Sequence, residues 1–375
     1  MKEGWKVVKL GDVCTINYGT RVVRNRDGGT TYPVYGGGGA TFMMDVYNRE
    51  NCVVVSRFAM SEQCTRYIHG KFFLNDSGLT LMSKDSLLSQ EFLNLQILFL
   101  NNAIFQLGRG AAQKNLDTKA FVLLELKFPV DIEEQHRIVK KLDAAFEKID
   151  AMKAKAEKNI ENAKALFQQT LAAELEPKEG WVEKKLGDVC ESCLGKTLNS
   201  SLDTGLQYNY LCAVNVQWDK FDLSKLKTAK FNETEREKYT VVKGDLLVCE
   251  GGETGRAAIW DSEETILYQN ALHRIRFKNN EIYSRYCLFY LMNLKFGGRL
   301  DKEFSRGATI KHLVTKSLHS IPFAYPNFDI QQQIVTKLDI LSAKCKKLEE
   351  AERKTIAECD ALKQAILRQV FNGEL

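Results

Sequence analysis

The sequence predicts an α+β fold made by internal duplication. Two α/β globules are separated by two long helices that pair antiparallel as a coiled coil about a pseudo-twofold axis. Three observations carry this reading. Lys2-Glu-Gly-Trp5 followed by Lys9-Leu-Gly-Asp-Val-Cys14 returns as Lys178-Glu-Gly-Trp181 and Lys185-Leu-Gly-Asp-Val-Cys190, ten identities in thirteen. Arg109-Gly-Ala111 with Lys114, Leu116, Thr118 and Lys119 returns as Arg306-Gly-Ala308 with Lys311, Leu313, Thr315 and Lys316, seven in eleven. Each half then closes on a heptad run almost free of Gly and Pro. Self-similarity on this scale outranks any local pattern.

In chain order, the segments expected are a globule over 1–130, a helix over 131–175, a second globule over 176–328 and a second helix over 329–375. The first helix follows from Ile138, Leu142, Ala145, Ile149, Met152, Ala156, Ala163 and Leu166, with Asn159 as the polar member of the row. The second repeats the phase at Ile334, Leu338, Leu341, Cys345, Leu348, Cys359, Leu362 and Ile366. A 3.5-residue repeat kept over several heptads marks a helix that packs along another helix. At 1.5 Å per residue such a helix is roughly 65 Å long. Within the first globule, 51–57 and 71–76 read as strands and 90–107 as a helix. In the second, 239–250, 256–260 and 265–277 read as strands and 282–300 as a helix. The second globule has gained about 21 residues between the two repeated motifs.

Composition bounds the rest. Of 375 residues, 44% are hydrophobic and 27% charged, which is a globular balance, and no apolar run reaches the length of a membrane span. The N-terminus lacks the apolar core of a signal peptide. Ten scattered cysteines, several inside apolar runs, read as buried thiols in a reducing cytoplasm. The net charge is +5. Its surplus lies in the globules, 15 Lys and Arg against 11 acids in 1–130 and 22 against 20 in 176–328, whereas the helices balance. That distribution is compatible with nucleic-acid contact.

Catalytic equipment is not found. Gly195-Lys-Thr197 lacks the glycine five residues earlier that a phosphate loop requires, and Gly251-Gly-Glu-Thr-Gly255 leads into a strand rather than a helix. No two prolines are adjacent, which excludes the Pro-Pro turn of amino-methyltransferases. Asp117 with Lys119 is a fragment of a nuclease pattern, but the repeat has Val314 in place of the acid. Cys190 and Cys193 form a lone pair with no second pair, and the five histidines show no ligand spacing. The reading is a non-catalytic chain without cofactor or metal.

Two similar but unequal globules at a fixed separation suit a two-part asymmetric target such as duplex DNA. Basic residues shared by both copies, Arg109, Lys114 and Lys119 with Arg306, Lys311 and Lys316, are the candidates for phosphate contact or for supporting the junction with the helix. Base-reading residues should differ between copies. The candidates are the 35–39 turn (Tyr35, Gly36 and Gly37 above all), Arg57, Asn75 and Asp76 in the first globule. In the second they are Asn215, Arg256, Gln269 and Asn270. Arg suits guanine and Asn or Gln suits adenine through paired hydrogen bonds.

Together the Gly-Trp and Leu-Gly-Asp-Val motifs, Arg-Gly-Ala ahead of each helix, Glu134-Gln135 with Arg137-Ile-Val139, and the run Gln364 to Leu375 resemble the specificity subunits of type I restriction–modification systems. The second helix departs from the Glu-Gln form with Gln331-Gln-Gln333. The resemblance implies two target-recognition domains, each reading half of a split DNA sequence, with the helices setting the spacer. It implies two methyltransferase subunits that bind S-adenosylmethionine, and restriction subunits carrying motor and nuclease. Extrusion and methylation of adenine would belong to the methyltransferase subunits. Two other readings remain open at this point: the specificity subunit of a fused modification–nuclease system, and a two-headed coiled-coil adaptor that never touches DNA.

Overall fold

The computed structural model describes residues 4–199, 201–307 and 311–372. The parts of the repeated motifs at Lys2, Glu3, Ala308 and 373–375 lie outside the described residues. The chain divides into two compact units, Met1–Glu157 with Arg353–Leu375, and Lys158–Glu352. Each unit contains one globule and a stretch of both long helices, Ile132–Glu174 and Phe328–Phe371.

The first globule is built on a six-stranded sheet. Its order is Cys14–Tyr18, Gly78–Ser83, Arg49–Ser56, Thr65–Leu74, Tyr32–Tyr35 and Ala40–Met44. Neighbours run antiparallel except Tyr32–Tyr35 against Thr65–Leu74, which pair parallel with Val34 opposite Phe73. The helix expected over 90–107 is two, Gln90–Phe99 and Asn101–Gln106, because Leu100 leaves helical geometry (ψ 6°).

The second globule follows the same path as two four-stranded sheets. One orders Cys190–Leu194, Leu272–Phe277, Leu246–Cys249 and Ala257–Ile259; the other Lys227–Phe231, Leu206–Leu211, Ile266–Tyr268 and Thr240–Val241. The continuous strands expected over 239–250 and 265–277 are therefore each broken. Gly244 (φ +91°) turns the chain in the first case and Ala271 (φ 77°) in the second. In the first globule the ladder suffers only a bulge at the matching place, between Glu50 and Cys52, where Asn51 takes φ 45°. An extra residue bends a ladder; a longer excursion splits it.

Recurring backbone hydrogen bonds fix the correspondence residue by residue. Gly19 donates to Gly78 at 3.0 Å as Gly195 does to Leu272 at 3.0 Å, and Asn75 to Tyr35 at 2.8 Å as Gln269 to Leu211 at 3.0 Å. Arg57 donates to Ser77 at 2.8 Å as Glu250 does to Ala271 at 2.9 Å. Leu116 donates to the Arg57 carbonyl at 2.9 Å as Leu313 does to that of Glu250 at 2.7 Å. The offset between equivalents is 176 at Tyr35 and Leu211 but 193 at Arg57 and Glu250. Most of the extra length of the second globule thus lies between Leu211 and Glu250.

The repeated motifs build the seam between each globule and its helices. Trp5–Lys9 pairs with Glu125–Pro129, and Val182–Lys185 with Pro322–Tyr325. Leu10 and Val13, like Leu186 and Val189, turn into the core. Gly187 between them packs so closely that a Cβ would sit 2.7 Å from the His319 side chain. Gln135 and Gln331, both fully buried, tie the start of each long helix to the globule. Gln135 Oε1 accepts from Ser89 N at 2.9 Å, and its Nε2 donates to the carbonyls of Leu87 and Pro129. Gln331 makes the same three bonds, to Tyr283 N, Glu281 O and Pro326 O.

Inside each unit the two helices run antiparallel. Lys153 pairs with Asp360 at 2.7 Å and Lys363 with Asp150 at 2.5 Å in one; Asn159 bonds Glu352 at 2.7 Å and Lys337 meets Glu174 in the other. Ile138, Leu142, Ile149, Ala156 and Ala163, with Ile334, Leu338, Cys345 and Cys359, are buried. The rest of the expected seam is less covered: Met152, Leu166, Leu348 and Leu362 are between 42% and 55% exposed. Two helices alone bury one narrow stripe, so the alternate heptad row stays at the edge.

Candidate nucleic-acid interface

In the first globule four segments meet at one end of the sheet: the 35–39 turn, Arg57 to Met60, Asn75 to Ser77, and the hairpin carrying the Arg-Gly motif. Tyr32–Tyr35 and Ala40–Met44 form a hairpin whose turn is glycine because the chain passes too close to its neighbours for a side chain. A Cβ on Gly36 would lie 2.2 Å from Ser77 Oγ. Ser56 Oγ donates to Gly37 O at 2.5 Å, and Gly37 N donates to Ser77 Oγ at 3.0 Å. Arg66 grips the turn from beneath, donating to the carbonyls of Gly37, Gly38 and Gln63. Gly36 and Gly37 are therefore buried scaffold and not reading residues; the exposed part of the turn is Gly38 and Gly39. Tyr35 stacks edge-on against Phe72, centroids 5.6 Å apart.

Arg57 directly follows its strand and is half-exposed. Its guanidinium lies over the rings of Tyr18 at 4.8 Å and Phe58 at 4.6 Å. Such cation–π contacts orient the planar group while its N–H fork stays available. Asn75 turns inward, its Oδ1 accepting from Ser77 N at 2.9 Å and Ser77 Oγ at 2.6 Å. Asp76 beside it is half-exposed. The shared basic hairpin abuts this group, since Met60 N donates to Lys114 O at 2.9 Å and Ala59 N to Asn115 Oδ1 at 3.3 Å. Arg109, 81% exposed, pairs with Asp117 at 2.5 Å. Asp117 also caps the short helix Thr118–Phe121, which carries exposed Lys119, so the acid that resembled a nuclease fragment serves structure. Lys114 lies over Phe105 at 4.1 Å.

The second globule presents the equivalent end differently. Arg306 and His312 form the matching bridge, with Arg306, Lys311 and Lys316 exposed and, among the described residues, in no ion pair. Gln269 and Asn270 fall at the places of Asn75 and Asp76. Both are half-exposed, and Asn270 Nδ2 reaches Thr197 Oγ1 at 3.4 Å. Two expected readers are not available. Asn215 is 2% exposed; its Oδ1 accepts from Cys212 N at 3.0 Å and its Nδ2 donates to the carbonyls of Asp222 and Lys225. It holds the long excursion after Leu211 together. Arg256 donates to Ala213 O at 2.7 Å and to Glu253 at 3.3 Å with its side chain 16% exposed, fixing the 250–256 turn. Buried and bonded inward in this way, neither side chain presents its polar end at the surface, although Arg256 Nε is itself without a partner.

Residues that pattern reading missed are Tyr18, Phe58, Arg66, Lys196 and Glu250. Lys196 is 3% exposed and bonded to Glu235 at 2.7 Å and Asp203 at 3.1 Å, so the apparent phosphate-loop lysine is an internal ion pair. Glu250 takes the place of Arg57, which only the strand ladder reveals. Among the described residues no cluster of His, Cys, Asp and Glu could hold a metal ion, and no helix is long and apolar enough to cross a membrane.

The fold recurs in a chain from a structure concerned with complex assembly and conformational transition of the type I R-M system. The two agree with a TM-score of 0.75 at 18% identity, covering 100% of this chain and 99% of that one. By sequence the chain is 26% identical over 296 residues to the type I restriction enzyme StySPI specificity subunit of Salmonella potsdam, covering 74% of this chain and 63% of that protein. It is 24% identical over 294 residues to the EcoKI specificity subunit of Escherichia coli, covering 73% and 62%. The chain thus spans somewhat under two thirds of the length of these relatives. The pattern of the type I restriction modification DNA specificity domain matches twice, over residues 2–162 and 178–358, and so the chain belongs to the family of type I restriction–modification specificity subunits.

Proposed function

We propose that the chain reads a bipartite double-stranded DNA target, one half per globule, with the long helices setting the gap. The observation that carries this is the doubled hydrogen-bond frame holding different side chains at equivalent places. Arg57 faces Glu250 in that correspondence, Asn75 faces Gln269 and Asp76 faces Asn270, while the Arg-Gly hairpin beside them is shared. Shared basic residues suit phosphate, which has the same chemistry in both halves; divergent residues suit base edges. The DNA-facing set is then Arg57, Asp76, Arg109, Lys114 and Lys119, with Gln269, Asn270, Arg306, Lys311 and Lys316 in the second globule, while the inward-turned Asn75 supports the turn.

The chain itself neither methylates nor cleaves. It docks two methyltransferase subunits that bind S-adenosylmethionine, and restriction subunits join that core in the cytoplasm. The exposed heptad row supports docking, because Met152 with Leu362 in one unit matches Leu348 with Leu166 in the other. Two equal apolar patches suit two copies of one partner.

The test is a genome-wide methyladenine map of cells carrying the cognate methyltransferase genes, with and without this chain. Loss of one split motif on removing the chain is the expected result. An unchanged map, with the methyltransferase active, refutes the reading and leaves the protein-binding adaptor as the better account.

A further inference from the structure

Arg57 and Glu250 occupy one position of a duplicated frame and carry opposite charge. Each follows the last residue of the central strand, Arg49–Ser56 or Leu246–Cys249, and each is pinned on both sides by the same backbone bonds. Each is half-exposed beside the shared basic hairpin. Among the described residues neither side chain enters an ion pair or a side-chain hydrogen bond. The surroundings keep both open. Arg57 lies over the rings of Tyr18 and Phe58, and Glu250 is followed by Gly251 and Gly252, the latter at φ +75°.

The chemistry of the two groups is complementary. A guanidinium offers only donors and an ionised carboxylate only acceptors. In the major groove guanine presents two acceptors and cytosine an amino donor. A free carboxylate next to Arg306 and His312 opposes any phosphate drawn there, so contact with DNA is favourable at this place only where an amino group meets it. We propose that this paired position is specificity-determining in both globules: Arg57 selects guanine in one half of the target, and Glu250 selects the amino edge of cytosine in the other. The proposal rests on the reading that the globules contact duplex DNA.

The test uses the whole chain with its methyltransferase partners in cells, mapped for methyladenine as wild type, Arg57→Gln and Glu250→Gln. Arg57→Gln is expected to lose roughly 5- to 150-fold of discrimination for guanine at one base pair of one half, drifting toward adenine, with the other half unchanged. Glu250→Gln is expected to relax one cytosine in the other half to a similar degree. Arg57→Lys and Glu250→Asp, which keep the charge, should retain the preferred base at lower methylation. Motifs identical to wild type in both Gln variants overturn the assignment, as does a uniform fall in methylation with the motif unaltered, the mark of phosphate contact or of misfolding. A wild-type map that does not depend on this chain overturns instead the reading of DNA recognition.

Discussion

Gln135 offers the sharpest test of how each globule is fastened to its helices. The change is Gln135→Leu, which keeps the volume and removes the amide. At 0% exposure no water can replace the lost partner, so Ser89 N and the carbonyls of Leu87 and Pro129 are left buried and unpaired. Each such group costs about 1–3 kcal/mol. Taking about 1 kcal/mol for each of three gives a loss of about 3 kcal/mol, or roughly 150-fold in the local opening equilibrium at 1.4 kcal/mol per tenfold. Ser89 also caps Gln90–Phe99 through Phe92 N at 3.2 Å, so the loosening should reach that helix. Amide hydrogen exchange read by mass spectrometry measures it directly. Peptides covering Gln90–Phe99 and the start of Ile132–Glu174 should exchange about 100-fold faster, with Ser284–Phe296 unaffected. Gln331→Leu should do the reverse, and the double change should be additive, because the two glutamines share no partner. Exchange within threefold of wild type in both single variants would refute the argument that these amides carry the junction.

The remaining predictions concern charge, burial and contact. His273 is buried with Nε2 donating to Leu313 O at 2.9 Å and Nδ1 unpartnered, and burial holds its pKa below the ordinary 6.5 despite the Leu313 carbonyl and Glu250, which favour the charged form; His319 opposes it. The unfolded chain therefore takes up the proton first, and stability falls as pH drops below about 6.5; the urea midpoint should fall from pH 7.5 to 5.5, and by less in His273→Gln. Asn215→Ala should destabilise the second globule by about 2–4 kcal/mol by stranding its backbone partners, whereas a base-reading Asn would change specificity without changing the unfolding midpoint. Removing Arg109, Lys114 and Lys119 together should weaken duplex binding for all sequences alike and lower the salt slope by roughly 3. Met152→Asp with Leu362→Asp should halve the number of methyltransferase subunits bound per chain, and adding Leu166→Asp with Leu348→Asp should abolish binding in pull-down, with circular dichroism unchanged in both; binding retained in the fourfold variant would place the docking surface elsewhere.

Periodicity determined the long helices almost to the residue, 131–175 against Ile132–Glu174 and 329–375 against Phe328–Phe371, because a heptad pattern and the absence of Gly and Pro are properties of the chain alone. Repetition likewise determined the duplication and the family, since identical residues at a constant offset need no coordinates to be seen. What pattern could not give was the burial of individual polar groups. Asn215, Arg256 and Lys196 have the types and loop positions of ligand-binding residues, yet each spends its donors inside the second globule. Whether a donor meets water or a carbonyl depends on segments far apart in sequence. The equivalence of Arg57 with Glu250 was hidden for the same reason. The chain between Leu211 and Glu250 carries most of an insertion that shifts the register, and only the hydrogen bonds to Ser77 and Ala271, Leu116 and Leu313, restore it. Local sequence sets which elements form; the ladder between distant strands decides which side chains stand at the same place.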